Sequence, residues 1–522
     1  MAALRSKRMV LAGAAVAVFV VAAGAGQGTV GKASASTLFV APGGSDAGRC
    51  TRAAPCKSFA RAYSVARPGD TVLVGAGQYG EQTIPVDRDK GAGTGVVVFR
   101  PASSGSVVID GDLHVYGSRV EFRELKAELW YAHPGSSQLS FRNLDVERFY
   151  ITSASNIRVL GGDVGPSVDR VSQIKAATDS TTPPRNILLS GLKVHDFTRS
   201  NKSHHMECLH VMAVDGLTIR NSRFERCSIF DISFNEHGDS DAMRGILVEN
   251  NFFDRTLDGG HYAVHFSSGD PCEAMIRFNT FLQGVSAECP ETRAGVRFES
   301  NILPSMNSTL CGRNGYSFDW NVYESGQRCG PNDRVGNAAF VGRDKLDVRL
   351  SRSSAAIGRG NPDSAPTHDI SGKRRPLRWR PDAGAHQREP VAIVPGRSIG
   401  AVRLGASRST VEAEYRAAGG RGRGARVHYA APGGRLWVHY RHDQVIGIGT
   451  SSTYYSTTNG VGPGATLAPG SALTRLPWNE CRKAYVRVVG SGSVYYAPAG
   501  GSRSGVLGSI AMFQRGVDDC GR

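Results

Sequence analysis

The sequence predicts an all-β chain wound as a parallel β-helix, a solenoid in which each coil pairs with the next. The first observation is a phrase that returns between Leu188 and Tyr323: a small or amide residue, then a large apolar residue two places on. It reads Ser222-Arg223-Phe224, Asn251-Phe252-Phe253, Asn279-Thr280-Phe281, Asn301-Ile302-Leu303 and Asn321-Val322-Tyr323, at intervals of 29, 28, 22 and 20 residues. The second is a period-two strand just ahead of each phrase: Leu217–Ile219, Ile246–Val248, Met275–Phe278, Val296–Phe298 and Tyr316–Phe318. Asn tolerates the left-handed backbone of a tight turn, and its amide can bond the same amide one layer away. The third is the spacing itself. Hairpin-linked strands give turn signals roughly every 8–12 residues, whereas a strand–turn–apolar unit repeating at 20–30 residues marks a solenoid.

The 522 residues exceed one ordinary domain. Residues 1–35 read as a secretory signal peptide: Arg5, Lys7 and Arg8 form a basic start, Met9–Ala23 an apolar run, and Ala33-Ser34-Ala35 a small-residue cleavage site. Secretion follows as the expected localisation, with no membrane span after cleavage, because no later run is long enough. The leader carries four bases and no acids, so removing it takes the formal charge from +16 to +12. A basic chain favours polyanionic partners, acidic polysaccharide among them. No aromatic-basic motif for specific nucleic-acid binding stands out. The ten cysteines fall as neighbouring pairs. Cys50/Cys56 and Cys481/Cys520 lie outside the ladder. Cys208/Cys227, Cys272/Cys289 and Cys311/Cys329 lie inside it, 19, 17 and 18 residues apart. That is close to one bare coil, and coils about 4.8 Å apart suit a disulfide. Export and an even count suggest disulfides, although spacing alone leaves the connectivity open.

In chain order, Thr37–Ala41 reads as a strand, Cys50 to Cys56 as a small loop, and 58–66 as a short helix with Phe59, Tyr63 and Ala66 on one face. Pro68-Gly69-Asp70 stops the helix and 71–74 starts a buried strand. The runs Leu38-Phe39-Val40-Ala41-Pro42-Gly43-Gly44-Ser45-Asp46, Pro55-Cys56-Lys57-Ser58-Phe59, Pro68-Gly69-Asp70-Thr71-Val72-Leu73-Val74 and Gly77-Gln78-Tyr79 resemble the start of secreted right-handed parallel β-helix proteins, the pectin-lyase-like group. Asp369-Ile370-Ser371-Gly372-Lys373, Arg375-Pro376 and Pro381-Asp382-Ala383-Gly384-Ala385-His386 resemble the closing phrase of such chains, with His386-Gln387 where a Glu or Tyr-Glu is usual. The resemblance covers roughly 37–389. It implies a right-handed solenoid whose helix caps the open first coil. For activity it is unspecific, since the group holds lyases, hydrolases, epimerases and proteins that only bind. The expected divisions are a leader at 1–35, the β-helix at 36–389 and a small α+β accessory domain at 390–522. In the last, Ile399–Leu404 reads as a strand, 408–417 as a helix, and 436–440 with 445–448 as a hairpin. His439 and His442 are expected on an exposed strand and turn.

Early coils are short, and the long connections at about 165–186, 195–208, 235–244 and 255–262 should frame a groove. Seven of the fourteen histidines fall between His195 and His265. Aligning coils by the ladder phrase places Leu209-His210-Val211, Ile232-Ser233-Phe234 and Val264-His265-Phe266 in adjacent layers. His210, Ser233 and His265 then share one outward column if Val211, Phe234 and Phe266 point inward. Cys208, Asp231 and Ala263 form the neighbouring column. A slip of one residue would turn every side chain around. His205, Glu207, His210, Asp231 and His265 are the catalytic candidates, since imidazole with carboxylate suits proton transfer near neutral pH. A uronate lyase needs a base, for which His210 or His205 is the candidate, and a cation such as Arg220, Arg244 or a bound metal. A glycoside hydrolase needs two carboxyls, Glu207 with Asp231 being the pair to test. Arg220, Arg244, His237, His261 and Tyr262 are substrate-binding candidates, and Trp320 and Trp130 could stack on sugars, although Trp320 lies in a ladder strand. His205, Glu207 and His210 fall on opposite strand faces, poor geometry for zinc. Asp239 and Asp241 could hold Ca2+, without the full spacing of a calcium loop. The sequence thus points to a secreted, monomeric carbohydrate-active protein, a polysaccharide lyase or glycoside hydrolase acting on an acidic polysaccharide. The alternative is a noncatalytic binder of polysaccharide or cell surface.

Overall fold

The computed structural model describes residues 35–91, 95–178, 180–235, 243–259, 262–267, 272–289, 295–306, 309–351, 353–375, 380–388, 391–415, 424–431, 434–490 and 492–517. The expected leader, except for Ala35, lies outside the described residues, as does Cys520. The unit from Ser36 to Arg522 is one compact body.

Its main feature is a parallel β-helix whose strands stack in three rows. The first row runs from Thr37–Val40 through Thr71–Val74, Val97–Pro101 and Val120–Arg123, and on to Met243–Glu249, Ala274–Arg277, Val296–Glu299 and Tyr316–Asp319. The second carries the recurring phrase, from Arg223–Cys227 through Phe252–Phe253, Thr280–Phe281 and Ile302–Leu303 to Val322–Tyr323. The third runs from Gln82–Ile84 through Ser172–Lys175, Glu207–Val211, Phe230–Asn235 and Val264–Ser267 to Val285–Glu288. Every pairing in these rows is parallel, so the solenoid expected from the repeat is the architecture found.

Between the first and second rows runs a buried amide ladder. Asn251 Nδ2 donates to Asn279 Oδ1 (3.1 Å), Asn279 Nδ2 to Asn301 Oδ1 (3.0 Å), Asn301 Nδ2 to Asn321 Oδ1 (3.0 Å) and Asn321 Nδ2 to Asp333 Oδ1 (3.2 Å). Each amide also donates to a backbone carbonyl of the preceding coil, as Asn279 does to Val248 O at 2.9 Å. The left-handed backbone falls one residue earlier than expected, on Asn221, Asn250, Phe278, Ser300 and Trp320. The ladder asparagines are there for their hydrogen bonds, and the left-handed φ just before them falls on Asn in two coils, on Ser in one and on the bulky Phe278 and Trp320 in the other two.

Apolar side chains stack coil on coil inside. Phe224, Phe253 and Phe281 follow one another at ring separations of 5.1 and 4.7 Å, and Phe234 meets Phe266 at 4.4 Å. Trp130, considered for sugar stacking, is sealed in this core between Phe141 (4.0 Å) and Phe149 (4.9 Å). The helix Phe59–Val65 closes the first coils, with Ser58 Oγ accepting from Arg61 N and the Phe59 ring 5.0 Å from Phe99. Disulfides Cys50–Cys56, Cys208–Cys227, Cys272–Cys289 and Cys311–Cys329 are formed, and Cys481 is also disulfide-bonded. The three inside the ladder tie neighbouring coils, as their spacing suggested.

The closing phrase folds back on the coils. Buried Arg375 donates to Asn250 Oδ1 (2.7 Å) and Gly384 O (2.7 Å) and lies over the Phe278 ring. Gly384, at φ +86°, sits where a Cβ would approach Ile302 to 2.5 Å. Beyond it, a four-stranded sheet and an eight-stranded antiparallel sheet form the C-terminal part, with the helix Arg408–Tyr415. Its core includes Ile302 and Val322 of the last coils. Residues 399–404 are not one strand but the tight antiparallel pair Ser398–Ile399 and Val402–Arg403, because Gly400 takes φ +59° and turns the chain. The hairpin Gly434–Arg441 with Gln444–Thr450 is as expected. His442 is exposed in its turn, whereas His439 is half-buried with its ring 5.3 Å from Phe513. No helix among the described residues is long and apolar enough to cross a membrane.

Candidate functional site

On the third row the strand register brings one residue per coil to the same outward position. Thr83, His114, Tyr131, Tyr150, Gln173, His210, Ser233, His265 and Ser286 follow one another in register, Ser233 and Ser286 being themselves buried on that face. Their inward neighbours Ile84, Val115, Ala132, Ile151, Ile174, Val211, Phe234, Phe266 and Ala287 are all buried. Alternation along a strand therefore fixes which face these residues present. Eight coil steps make a strip about 38 Å long.

The expected alignment of His210, Ser233 and His265 is the observed one, with the two histidines about 10 Å apart across two coils. His265 lies against Phe230 (centroids 4.7 Å, near-parallel) and beyond it Tyr262 (6.3 Å). Burial holds its imidazole below the ordinary histidine range, against the opposing pull of Glu288. It is therefore neutral near pH 7. Tyr262 also borders a cavity of about 360 Å³ with Arg255, Thr256 and Gln283.

The acids are placed differently. Asp231 is fully buried, and among the described residues neither carboxylate oxygen finds a hydrogen-bond partner. Burial pushes its pKa well above the ordinary range, and Asp254 and Glu225 add to the effect. Consecutive amides Asp231 N and Ile232 N both reach Ala263 O (2.9 and 3.0 Å), the mark of a bulge. Phe230 rather than Asp231 is the residue beside His265. Glu207 is buried and pushed upward by that burial, with the exposed His205 3.4 Å away opposing it. Among the carboxyl candidates, then, neither Glu207 nor Asp231 opens onto the strip.

Arg244 sits at the start of the first-row strand Met243–Glu249, donating to Asp215 (2.9 Å), and Arg220 ends the first-row strand Val214–Arg220. The structure does not bring either into the third-row column. His237, His261, Asp239 and Asp241 lie outside the described residues. Among the described residues no group of three histidine, cysteine or acidic side chains is placed to hold a metal ion.

Sequence reasoning missed Tyr131, Tyr150, Gln173 and Lys175. The span 165–186, expected to be a wall, contains the third-row strand Ser172–Lys175. Lys175 is half-buried and two residues from Gln173, which pairs with His210. It forms no ion pair among the described residues. Short period-two runs in the early coils were the available signal, but the ladder phrase that anchors the register begins only at Ser222. Also missed was the cluster where His114 Nδ1 meets His133 Nε2 (2.9 Å), His133 stacks on Tyr116 (3.8 Å) and its ring lies tilted against Tyr131 (3.6 Å). Burial and the neighbouring His114 hold His133 at about 4.

No protein-family model matches the chain, and no curated protein matches it. Nine solved chains do. A crystal structure of pectate lyase Pel9A is similar at 15% identity and TM-score 0.42, over 68% of this chain and 96% of that one. A rhamnogalacturonan lyase is similar at 13% and 0.36, over 58% and 85%. A complex of XylC with xylose is similar at 10% and 0.41, over 68% and 98%. The parallel β-helix implied by the terminal phrases is the architecture that the strand pairing of this chain itself describes.

Proposed function

We propose that this chain is a secreted, monomeric carbohydrate-active protein that cleaves an acidic polysaccharide laid along the third-row face, by elimination. The observation that carries the reading is the outward column, in which His210 and His265 flank Ser233 in register. Elimination needs a neutral base and a cation beside the uronate carboxylate. His210 is assigned as the base. Its imidazole takes the proton from the carbon next to the carboxylate, that C–H electron pair forms the carbon–carbon double bond, and the bond from the adjacent carbon to the glycosidic oxygen breaks with its pair going to the oxygen, which takes up a proton from water. Lys175 is assigned to the carboxylate, in place of Arg220 and Arg244 on the first row.

Hydrolysis would need two carboxyls flanking one bond, roughly 5–9.5 Å apart. Glu207 and Asp231 are buried, and burial favours their neutral forms. This is why elimination is preferred. Secretion is supported by the disulfides and the leader-like first 35 residues. The division near residue 389 remains a proposal from sequence pattern.

Incubation with pectate, alginate and glycosaminoglycan panels tests this. Unsaturated product absorbing in the ultraviolet is expected. New reducing ends without that absorbance would replace elimination by hydrolysis, and retention on a polysaccharide gel with no product would replace both by the noncatalytic binder.

A further inference from the structure

At the far end of the solenoid, away from the third row, a cavity of about 440 Å³ is lined by Arg328, Arg334, Arg359 and Arg380 together with Trp320 and Asp333. Trp320 occupies the corner between the first-row strand Tyr316–Asp319 and the second-row strand Val322–Tyr323. There its left-handed backbone (φ +60°) breaks the strand alternation, leaving the ring half-buried rather than in the core. Arg380 lies over that ring at 4.7 Å. The result is a concave wall of guanidinium groups beside an aromatic plane.

Their charge is not answered from within. Among the described residues none of the four arginines forms an ion pair. The one acid in the lining, Asp333, is already committed. Its Oδ1 accepts from Asn321 N (2.8 Å) and Nδ2, and its Oδ2 from Tyr323 OH (3.1 Å) and Gly330 N (2.7 Å). It serves as the terminus of the amide ladder. Arg359 is half-buried, and that burial, with repulsion from Arg334 and Arg380, pulls its guanidinium below the ordinary arginine range. Like charges gathered in a concavity raise the local potential and attract anions. Guanidinium forks match the planar or tetrahedral oxygens of carboxylate and sulfate.

We propose that this cavity is an anion-binding site for a charged residue of an acidic polysaccharide, whose carboxylate or sulfate ester is held by the arginines while Trp320 borders the sugar ring. The site stands apart from the third-row face and does not depend on catalysis there. It would anchor the polymer at a second place on the same molecule.

Calorimetric titration of the whole protein at low salt tests it, with trigalacturonate, a heparin-derived hexasaccharide, inorganic sulfate and neutral maltotriose as probes. Both acidic oligosaccharides are expected to bind and maltotriose is not. Inorganic sulfate should compete with either. Arg334→Ser and Arg380→Ser change exposed side chains, so the fold should survive, as circular dichroism would verify. Each is expected to weaken binding about tenfold. Inorganic sulfate, which offers no proton for the third-row base to take, should bind His210→Ala as it binds wild type, which separates the site from the third-row face. Binding of maltotriose as strong as trigalacturonate, no binding of any anion, or undiminished binding by the Arg334→Ser/Arg380→Ser double variant would each overturn the proposal.

Discussion

His210 and Asp231 show how strongly one residue's setting governs its chemistry. His210 stands in an outward column between Gln173 and Ser233. As the assigned base, its replacement by alanine should cut turnover by about 10²–10⁴-fold while leaving the thermal transition in place. Unchanged turnover would remove the assignment. Asp231 leads to a different expectation. Its folded-state pKa is raised, so the stability it permits is fully present below about 3.8–3.9, the unfolded value. That stability is lost as pH rises toward the folded value, because the unfolded chain gives up its proton first. Asp231→Asn should therefore flatten the fall in urea midpoint between pH 4 and pH 8. A slope identical to wild type would show that Asp231 ionises normally. His210 was legible from sequence because alternation and the ladder alignment both point to it. The burial of Asp231 was not, because a one-residue bulge at Asp231-Ile232 opposite Ala263 leaves no mark on a pattern of apolar and polar letters.

At the scale of the element, the amide ladder holds successive coils in register where the second row is only two residues wide in most coils. Removing the Asn279 side chain would strand Val248 O, the Asn251 amide and one lone pair of Asn301 inside the core. Asn279→Ala should cost about 3–5 kcal/mol, several times a single exposed hydrogen bond. Chemical denaturation of the disulfide-intact protein measures this, and a loss below about 1 kcal/mol would mean that the ladder is redundant. The ladder's existence was readable, since the asparagines recur with the coil. Its phase was not. Phe278 and Trp320 are poor candidates for left-handed backbone by residue type, and only the neighbouring amide bonds make them carry it.

Across the molecule, rigid coils convert a short repeating choice of residue into a long surface. Nine outward positions on the third row place aromatic rings Tyr131 and Tyr150 in the same strip as His210 and His265, with Tyr150 two register steps from His210. A polymer lying along it would touch the tyrosines only if it reached past the reacting bond toward the N-terminal coils. Such remote contacts exist equally in the ground and transition states, so they change KM and leave kcat alone. Tyr150→Ala should raise KM for polymer and long oligosaccharides about five- to tenfold, corresponding to roughly 1–1.4 kcal/mol of lost ring burial and packing. Substrates too short to reach the third-row position of Tyr150 should be cleaved as by wild type. Equal losses for short and long substrates would mean that Tyr150 acts on the fold around His210 instead. An effect on kcat alone would place the reacting bond over the tyrosines, at the other end of the strip.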